Sequence, residues 1–183
     1  MSRIDPETAL AATIERLDLD GYVAAVPGLA ELLKDSVDGG ASVNFVAGLS
    51  LEDAATWWSD RTPQIAAGTT TALVARTPAG RIVGSTLLFR MTQPNAPHRA
   101  EIGKVLVHRD ARRRGIGRAL MEAVESLARE EGRWLLILDT QSGTDAELMY
   151  VALGWQPFGV VPNHSLTTDG VLSPTTFFWK DLR

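Results

Sequence analysis

The sequence contains no cysteine, and this absence excludes disulfide bonds and thiol nucleophiles. Histidine is scarce as well, since only His98, His108 and His164 occur, and none of them stands at a spacing typical of metal ligands. We therefore expect no bound metal, and carboxylates become the main candidates for acid–base chemistry.

Long apolar segments are missing too. No run of about 18 apolar residues occurs, and no basic segment followed by an apolar one stands at the N-terminus, so we expect a cytoplasmic protein with no membrane partner. The formal net charge of −4 disfavours non-specific binding to nucleic acid, which rewards a basic surface. With 45% hydrophobic residues, the 183-residue chain can build one sizeable core, and we expect a single domain over residues 1–183.

One dense basic patch, residues 109–118, stands out from this acidic composition. Within it, residues 112–117 read Arg-Arg-Arg-Gly-Ile-Gly, between an apolar run at 100–107 and a helical pattern from residue 118. A strand, a glycine turn and a helix start in this order form a cradle for phosphate, because glycines let the backbone approach an anion and free N–H groups at the helix start donate to it. The pattern predicts a pyrophosphate site.

Other phosphate-binding turns fit the spacing less well. The Gly-Lys-Ser/Thr of a P-loop is absent, which weakens an NTP-binding interpretation. Leu120 stands where a dinucleotide fingerprint has its third glycine, although Asp139 follows at about the distance that such a fold expects. The arginines are also open to an RNA or DNA interpretation, but interleaved aromatics are missing nearby. A cofactor with several phosphates accounts for the patch best.

The phosphate turn and a second segment together resemble a known family. Arg112-x-x-Gly115-x-Gly117 after a strand resembles motif A of the GNAT N-acetyltransferases, which bind the pyrophosphate of acetyl-CoA at this turn. Further along, residues 146–155 read Ala-Glu-Leu-Met-Tyr-Val-Ala-Leu-Gly-Trp and are similar to motif B of the same family, with Tyr150 in the place of its tyrosine. The resemblance implies an N-acetyltransferase with acetyl-CoA as its cosubstrate.

The resemblance also implies the fold. We expect an α/β fold, GNAT-like and single-domain, with a mixed, mostly antiparallel sheet that has a central parallel splay and flanking helices. The residue patterns suit that architecture. They predict a short strand at residues 13–17, a helical segment at 19–37 interrupted by Pro27, a helix at 51–58, a hairpin of strands at 69–76 and 81–91, and two last strands at 156–161 and 175–179.

In such a family the cofactor is held mainly by backbone groups. Residues 105–107 would pair with the pantetheine amides like an added strand, an N–H of the same stretch would polarise the thioester carbonyl, and residues 113–118 would hold the pyrophosphate. The cofactor-binding residues predicted in this way are Val105, Leu106, Val107, Arg112, Arg113, Arg114, Gly115, Ile116, Gly117 and Arg118.

Two carboxylates are the candidate general bases. Glu101 lies on the strand that leads into the phosphate turn, in an Ala-Glu-Ile context similar to that of the glutamate base of histone acetyltransferases, and Asp139 ends the neighbouring strand. Both would lie near the splay between adjacent parallel strands, where open α/β sheets bind ligands, and either can be the principal base. The resemblance gives Tyr150 the role of offering its hydroxyl to the departing thiolate of CoA. A solvent-facing Glu101, a turn-capping Asp139 and a core Tyr150 are the plainer alternatives.

The acceptor is the least defined part of the prediction. Short segments such as residues 100–104 and 161–163 are similar to the tabtoxin-resistance acetyltransferases, which implies a role in antibiotic or toxin resistance and an amino-acid-like acceptor such as tabtoxinine-β-lactam. Peptide or protein amines remain an alternative, as does a non-catalytic acyl-CoA-binding module. We expect direct transfer to a small-molecule amine, since a cysteinyl acyl-enzyme is excluded, and a homodimer stays open.

Two further segments are candidates for the acceptor side. Phe45, Trp57 and Trp58 belong to the part of the chain where such enzymes build the wall of the acceptor site. Residues 163–165 lie in a predicted late loop that would close over the acceptor.

Overall fold

The fold is built on one sheet of seven strands, within the residues 12–183 that the computed structural model describes. The strands are β1 (Thr13–Arg16), β2 (Thr70–Arg76), β3 (Ile82–Arg90), β4 (Arg99–Val107), β5 (Leu135–Gln141), β6 (Gln156–Leu166) and β7 (Leu172–Asp181). They are ordered β1-β2-β3-β4-β5-β7-β6, and every neighbouring pair is antiparallel except β4 with β5. The predicted mixed, mostly antiparallel sheet is confirmed.

Helices cover both faces of this sheet. They are α1 (Leu19–Asp38), α2 (Leu51–Ser59), α3 (Thr62–Ala66), α4 (Ile116–Glu130) and α5 (Asp145–Ala152). One core joins the sheet to α1 and α2 and contains Tyr22, Leu29 and Trp58, all buried. A second core joins the other face to α4 and α5 and contains Met121 and Phe178. No helix in the described part of the chain has the length and apolar content needed to cross a membrane.

Strand alternation assigns each candidate base to a face. Ala100 and Ile102 of β4 belong to the core under α4 and α5, so Glu101 between them faces the α1–α2 side. Leu138 of β5 lies in that same core, and its neighbour Asp139 therefore also faces α1 and α2. The two carboxylates share one face on adjacent strands.

The α1 helix is continuous where the sequence pattern predicts an interruption. Pro27 lies inside the helix, and both Pro27 and Val23 are exposed. Proline removes the N–H partner of the carbonyl four residues earlier, but that carbonyl lies on the solvent side, where water can bond to it. The predicted interruption was wrong because the lost hydrogen bond is not buried.

The last two strands are longer than predicted, and the expected late loop is absent from its place. Residues 163–165 lie within β6, where the register shifts between Val161 and Ser165 and Asn163 adopts φ 54°. The ring of His164 packs against Phe177 of β7 at 5.3 Å between centroids. A bulged strand thus replaces the loop, and β7 separates it from β5.

Candidate active site

The parallel strands β4 and β5 separate after a short pairing. Their register runs from Arg99 and Leu135 to Glu101 and Ile137, after which β4 continues along β3 while β5 continues along β7 to Gln141. The edge of β4 beyond Glu101 is therefore left without a strand partner on its β5 side. This gap is the predicted splay, and it offers backbone donors and acceptors to an extended ligand.

A β-bulge lies at the mouth of the gap. Gly103 and Leu106 of β4 pair with Leu87 and Ser85 of β3. Two residues of β4, Lys104 and Val105, therefore lie opposite the single residue Thr86 of β3. Lys104 adopts a left-handed φ of 51°, which is unusual for a residue with a side chain. The bulge bends the strand locally, and the Lys104 side chain lies on the α1–α2 side beside Trp57.

Glu101 is half-buried beside this gap, and its surroundings change its acidity. Burial raises the pKa of the Glu101 carboxyl, the charge of Asp139 raises it further, and Lys104 partly opposes both. Asp139 is the more exposed of the two carboxylates. A carboxylate with a raised pKa accepts a proton more readily, which suits a general base at neutral pH.

Tyr150 lies on the opposite face of the sheet from Glu101. It is 5% exposed and lies in the core under α4 and α5, with its ring centroid 6.3 Å from that of Trp155 and 6.0 Å from that of Phe178. Burial and the negative charge of Asp139 raise the pKa of the tyrosine, so its hydroxyl stays protonated near neutral pH. It is both a core residue and a potential proton donor.

The turn between β4 and α4 has the backbone shape that an anion site requires. Arg113 and Gly115 adopt left-handed φ values of 63° and 80°, and α4 begins at Ile116 without a side-chain cap. The first N–H groups of an α-helix have no acceptor within the helix, so those of α4 are available to phosphate oxygens. The side chain of Arg113 is 86% exposed and lies 3.7 Å from Asp145, an exposed ion pair that contributes little to stability.

Two contacts fix the start of this turn. Asp35 at the end of α1 accepts the N–H of Arg109 at 3.0 Å and also its guanidinium. Burial would raise the pKa of the Asp35 carboxyl, but the groups of Arg109 outweigh it and hold that pKa below its usual value. Arg112 donates from Nε to the carbonyl oxygen of Val107 at 3.2 Å. Its guanidinium thus ties the turn to the end of β4, and its contact with phosphate stays a prediction.

Gly117 has a packing role that the motif alone does not reveal. A Cβ at this position would lie 3.0 Å from Sδ of Met149 and 3.7 Å from Cγ2 of Val107. The missing side chain lets α4 approach α5 and β4 closely, next to the predicted pyrophosphate turn.

The acceptor-side aromatics divide between core and site. Trp58 is fully buried, and its carbonyl accepts the hydroxyl of Tyr22 at 2.7 Å. Trp57 packs edge-to-face on Phe45 with centroids 6.0 Å apart and lies beside the Lys104 ammonium. Sequence reasoning missed Lys104, because only the bulge and the folded-back α2 bring it to these rings.

The chain matches the model of a known protein family. Residues 46–155, more than half of the chain, match the model of the acetyltransferase (GNAT) family. The chain belongs to the GNAT family. It is therefore an acetyltransferase, and acetyl-CoA is its cosubstrate.

Solved structures share the GNAT fold over nearly the whole chain. A ribosomal-protein-alanine N-acetyltransferase from Brucella melitensis is 25% identical with a TM-score of 0.73, covering 93% of this chain and 99% of its own. A GCN5-related N-acetyltransferase from Kribbella flavida is 23% identical with a TM-score of 0.76, covering 97% and 100%. The protein yncA from Salmonella typhimurium, whose structure contains acetyl-CoA, is 19% identical with a TM-score of 0.73, covering 94% of each chain. At these identities the last two show the fold alone.

The groups around the gap fit acetyl-CoA in this GNAT chain. The unpartnered edge of β4 can pair with the amides of an extended pantetheine arm, and the uncapped start of α4 can hold a pyrophosphate. The candidate bases and Tyr150 lie on opposite faces of the sheet, and the charge of Asp139 acts on both Glu101 and Tyr150.

Proposed function

We propose that this GNAT acetyltransferase transfers the acetyl group of acetyl-CoA directly to the amine of a small, amino-acid-like acceptor, of which tabtoxinine-β-lactam is one example. The observation that carries the proposal is the position of Glu101 and Asp139 on one face at the opening between β4 and β5. Two carboxylates attract an ammonium group, and a partly buried one can take its proton.

We assign each group a role from the proton or charge that it can accept, donate or stabilise. Acetyl-CoA supplies the activated acetyl group. An amine must lose its proton before it attacks, and Glu101 takes that proton directly or through water, with Asp139 holding the cationic acceptor or sharing the base role. An N–H within residues 105–107 stabilises the negative charge that develops on the carbonyl oxygen. Tyr150 gives its proton to the departing thiolate.

A protein or peptide amine is the second candidate acceptor. The likeness to a ribosomal-protein-alanine N-acetyltransferase supports it, at 25% identity over nearly the whole chain. The half-buried position of Glu101 and the aromatic wall of Phe45 and Trp57 support the smaller acceptor, since a restricted site suits a compact ligand.

A panel of amines tests the proposal. Thiol release from acetyl-CoA is measured with free amino acids, simple primary amines and short peptides, and the products are checked for an N-acetyl group by mass spectrometry. The chain has no cysteine, so the enzyme adds no thiol to the signal. We expect the small amino compounds to react best. Preference for peptides would favour the second candidate, and no reaction with any amine despite CoA binding would overturn both.

A further inference from the structure

Lys104 places a cation on the acceptor side of the gap. Its Nζ donates to the carbonyl oxygen of Val43 at 3.1 Å and lies 4.8 Å from the ring centroid of Trp57 and 6.0 Å from that of Phe45. The hydroxyl of Ser85 donates to the Lys104 carbonyl oxygen at 3.0 Å, which helps to hold the bulge. One of the three ammonium donors is thus used by a backbone oxygen, and the cation rests among aromatic rings.

Arg61 adds a second cation to the same indole. Its guanidinium carbon lies 3.6 Å from the ring centroid of Trp57, and NH1 donates to the Trp57 carbonyl oxygen at 2.9 Å. Within residues 12–183, neither Arg61 nor Lys104 forms an ion pair with a carboxylate. The ring of Trp57 therefore lies beside two cations, and no carboxylate within residues 12–183 pairs with either of them.

The acidity of Lys104 shows that its positive charge is incompletely balanced. Burial and the charge of Arg61 lower the pKa of Lys104 to about 8, although Asp139 and Glu101 act in the opposite direction. The ammonium form still predominates at pH 7, because the pKa lies above that pH. A single added negative charge beside the two cations would relieve this imbalance.

We propose that Lys104 and Arg61 bind a carboxylate group of the acceptor while Glu101 and Asp139 receive its amine. The inference rests on the proposed function and narrows its acceptor to compounds that carry both groups, such as a free amino acid. Glu101 and Lys104 lie three residues apart on β4, a spacing that would put them on opposite faces of a regular strand, but the bulge turns Lys104 to the α1–α2 side that Glu101 also faces. Opposite charges therefore lie on one face, within the length of a small molecule. An N-terminal residue of a protein has its α-carboxyl in a peptide bond and lacks this handle.

Matched substrates and a matched variant test the proposal. The values of kcat and KM are measured for amino acids and for their primary amides, with the wild type, Lys104→Met and Lys34→Met. Lys34 on α1 has a partly exposed side chain that pairs with Asp38, and it serves as the control. For each variant, kcat/KM for the acid is divided by kcat/KM for the amide. Comparing this acid-to-amide ratio between variants cancels the effect of the different amine pKa values of the two substrates.

We expect Lys104→Met to raise KM for the acids about 10- to 100-fold, the loss typical of a charge-assisted hydrogen bond, with little change for the amides. Lys34→Met should change KM for neither the acids nor the amides. An acid-to-amide ratio unchanged by Lys104→Met would overturn the proposal. If the amides and acids react but the wild type shows no preference, this inference falls and the proposed function stands. If no amine is acetylated although CoA binds, both fall.

A second readout does not depend on turnover or on the folding of a variant. Wild-type protein is treated with acetic anhydride at pH 8, and modification of Lys104 and Lys34 is followed by peptide mass spectrometry. The added ligands also consume acetic anhydride through their own amines, so the modification of Lys104 is expressed relative to that of Lys34 in the same sample. We expect an amino acid to lower this ratio more strongly than its amide does at the same concentration. Equal protection by acid and amide would contradict carboxylate binding at Lys104.

Discussion

Replacing Glu101 with glutamine removes the proposed proton acceptor and keeps the shape of the side chain. A general base contributes about 10²–10⁴-fold to the rate. Asp139 remains beside the site, and an α-amine with a pKa near 8 is already about one-tenth unprotonated at pH 7. We therefore expect kcat for such an acceptor to fall about 10²-fold, at the lower end of that range. An acceptor with a lysine-like pKa near 10.4 should lose more, because about one part in 10³ is free at that pH.

The role of Glu101 also predicts how kcat and stability depend on pH. Burial and Asp139 raise the pKa of Glu101, and the base must be ionised to act, so wild-type kcat should decline as pH falls through that raised value. In Glu101→Gln the limb set by Glu101 should disappear, and the decline that remains should follow the pKa of the acceptor amine. Because the folded-state pKa is raised, the contribution of Glu101 to stability is present below its unfolded value and is lost as pH rises through the folded one. The variant should therefore be at least as stable as the wild type at pH 7.

Thiol release from acetyl-CoA, measured from pH 5 to 9 together with thermal unfolding, separates catalysis from folding. Glu31→Gln, on an exposed position of α1, is the matched control and should retain full activity. Unchanged turnover of Glu101→Gln at every pH would show that Glu101 is not the base. A lower melting temperature at pH 7 would contradict the argument from its raised pKa.

Three further substitutions test other parts of the structure. Tyr150→Phe should lower kcat about 10²-fold in steady-state assays and leave the calorimetric affinity for CoA nearly unchanged, because only a proton donor is removed. Gly115→Val should weaken CoA binding in calorimetry, since φ 80° costs a residue with a side chain about 1–2 kcal/mol and the turn must shift. Glu125→Leu should destabilise the fold by about 3 kcal/mol in denaturant titration, because it removes the buried carboxylate that accepts from Lys180 at 2.7 Å and from Trp155 at 2.9 Å. The cost stays at the lower end of the range for a broken buried pair, since the half-buried Lys180 still donates to the Leu153 carbonyl oxygen.

Each of these expectations has a contrary outcome. Full activity of Tyr150→Phe would reduce the tyrosine to a core residue. CoA affinity unaltered in Gly115→Val would show that the left-handed turn is not needed for phosphate binding. Stability retained in Glu125→Leu would show that Lys180 reaches solvent easily, whereas recovery on adding Lys180→Met would support the buried-pair argument.

The region around the phosphate turn was predictable because its signals are local. A buried strand, a glycine turn and an amphipathic helix stand in sequence order, and the structure gives β4, the turn and α4 in the same places. The N-cap of α2 is likewise formed within one turn, where Ser50 accepts the N–H of Asp53 at 2.9 Å. The short α3 helix has no such signal and was not predicted.

The acceptor side depends on contacts between distant parts of the chain, and the sequence did not reveal it. Lys104 becomes a candidate only because a bulge opposite β3 redirects its side chain and because Val43 and Trp57 fold over it. The pattern at 163–165 predicts a loop, but pairing with β7 makes it a bulged strand. In both cases strand pairing with a remote segment decided the local structure.

A crystal structure of the protein with acetyl-CoA tests the central claim most directly. We expect the pantetheine arm along the open edge of β4, the pyrophosphate at the N–H groups of residues 113–118, and the thioester between Glu101 on one face and Tyr150 on the other. Acetyl-CoA bound with its thioester away from the gap between β4 and β5 would contradict this account.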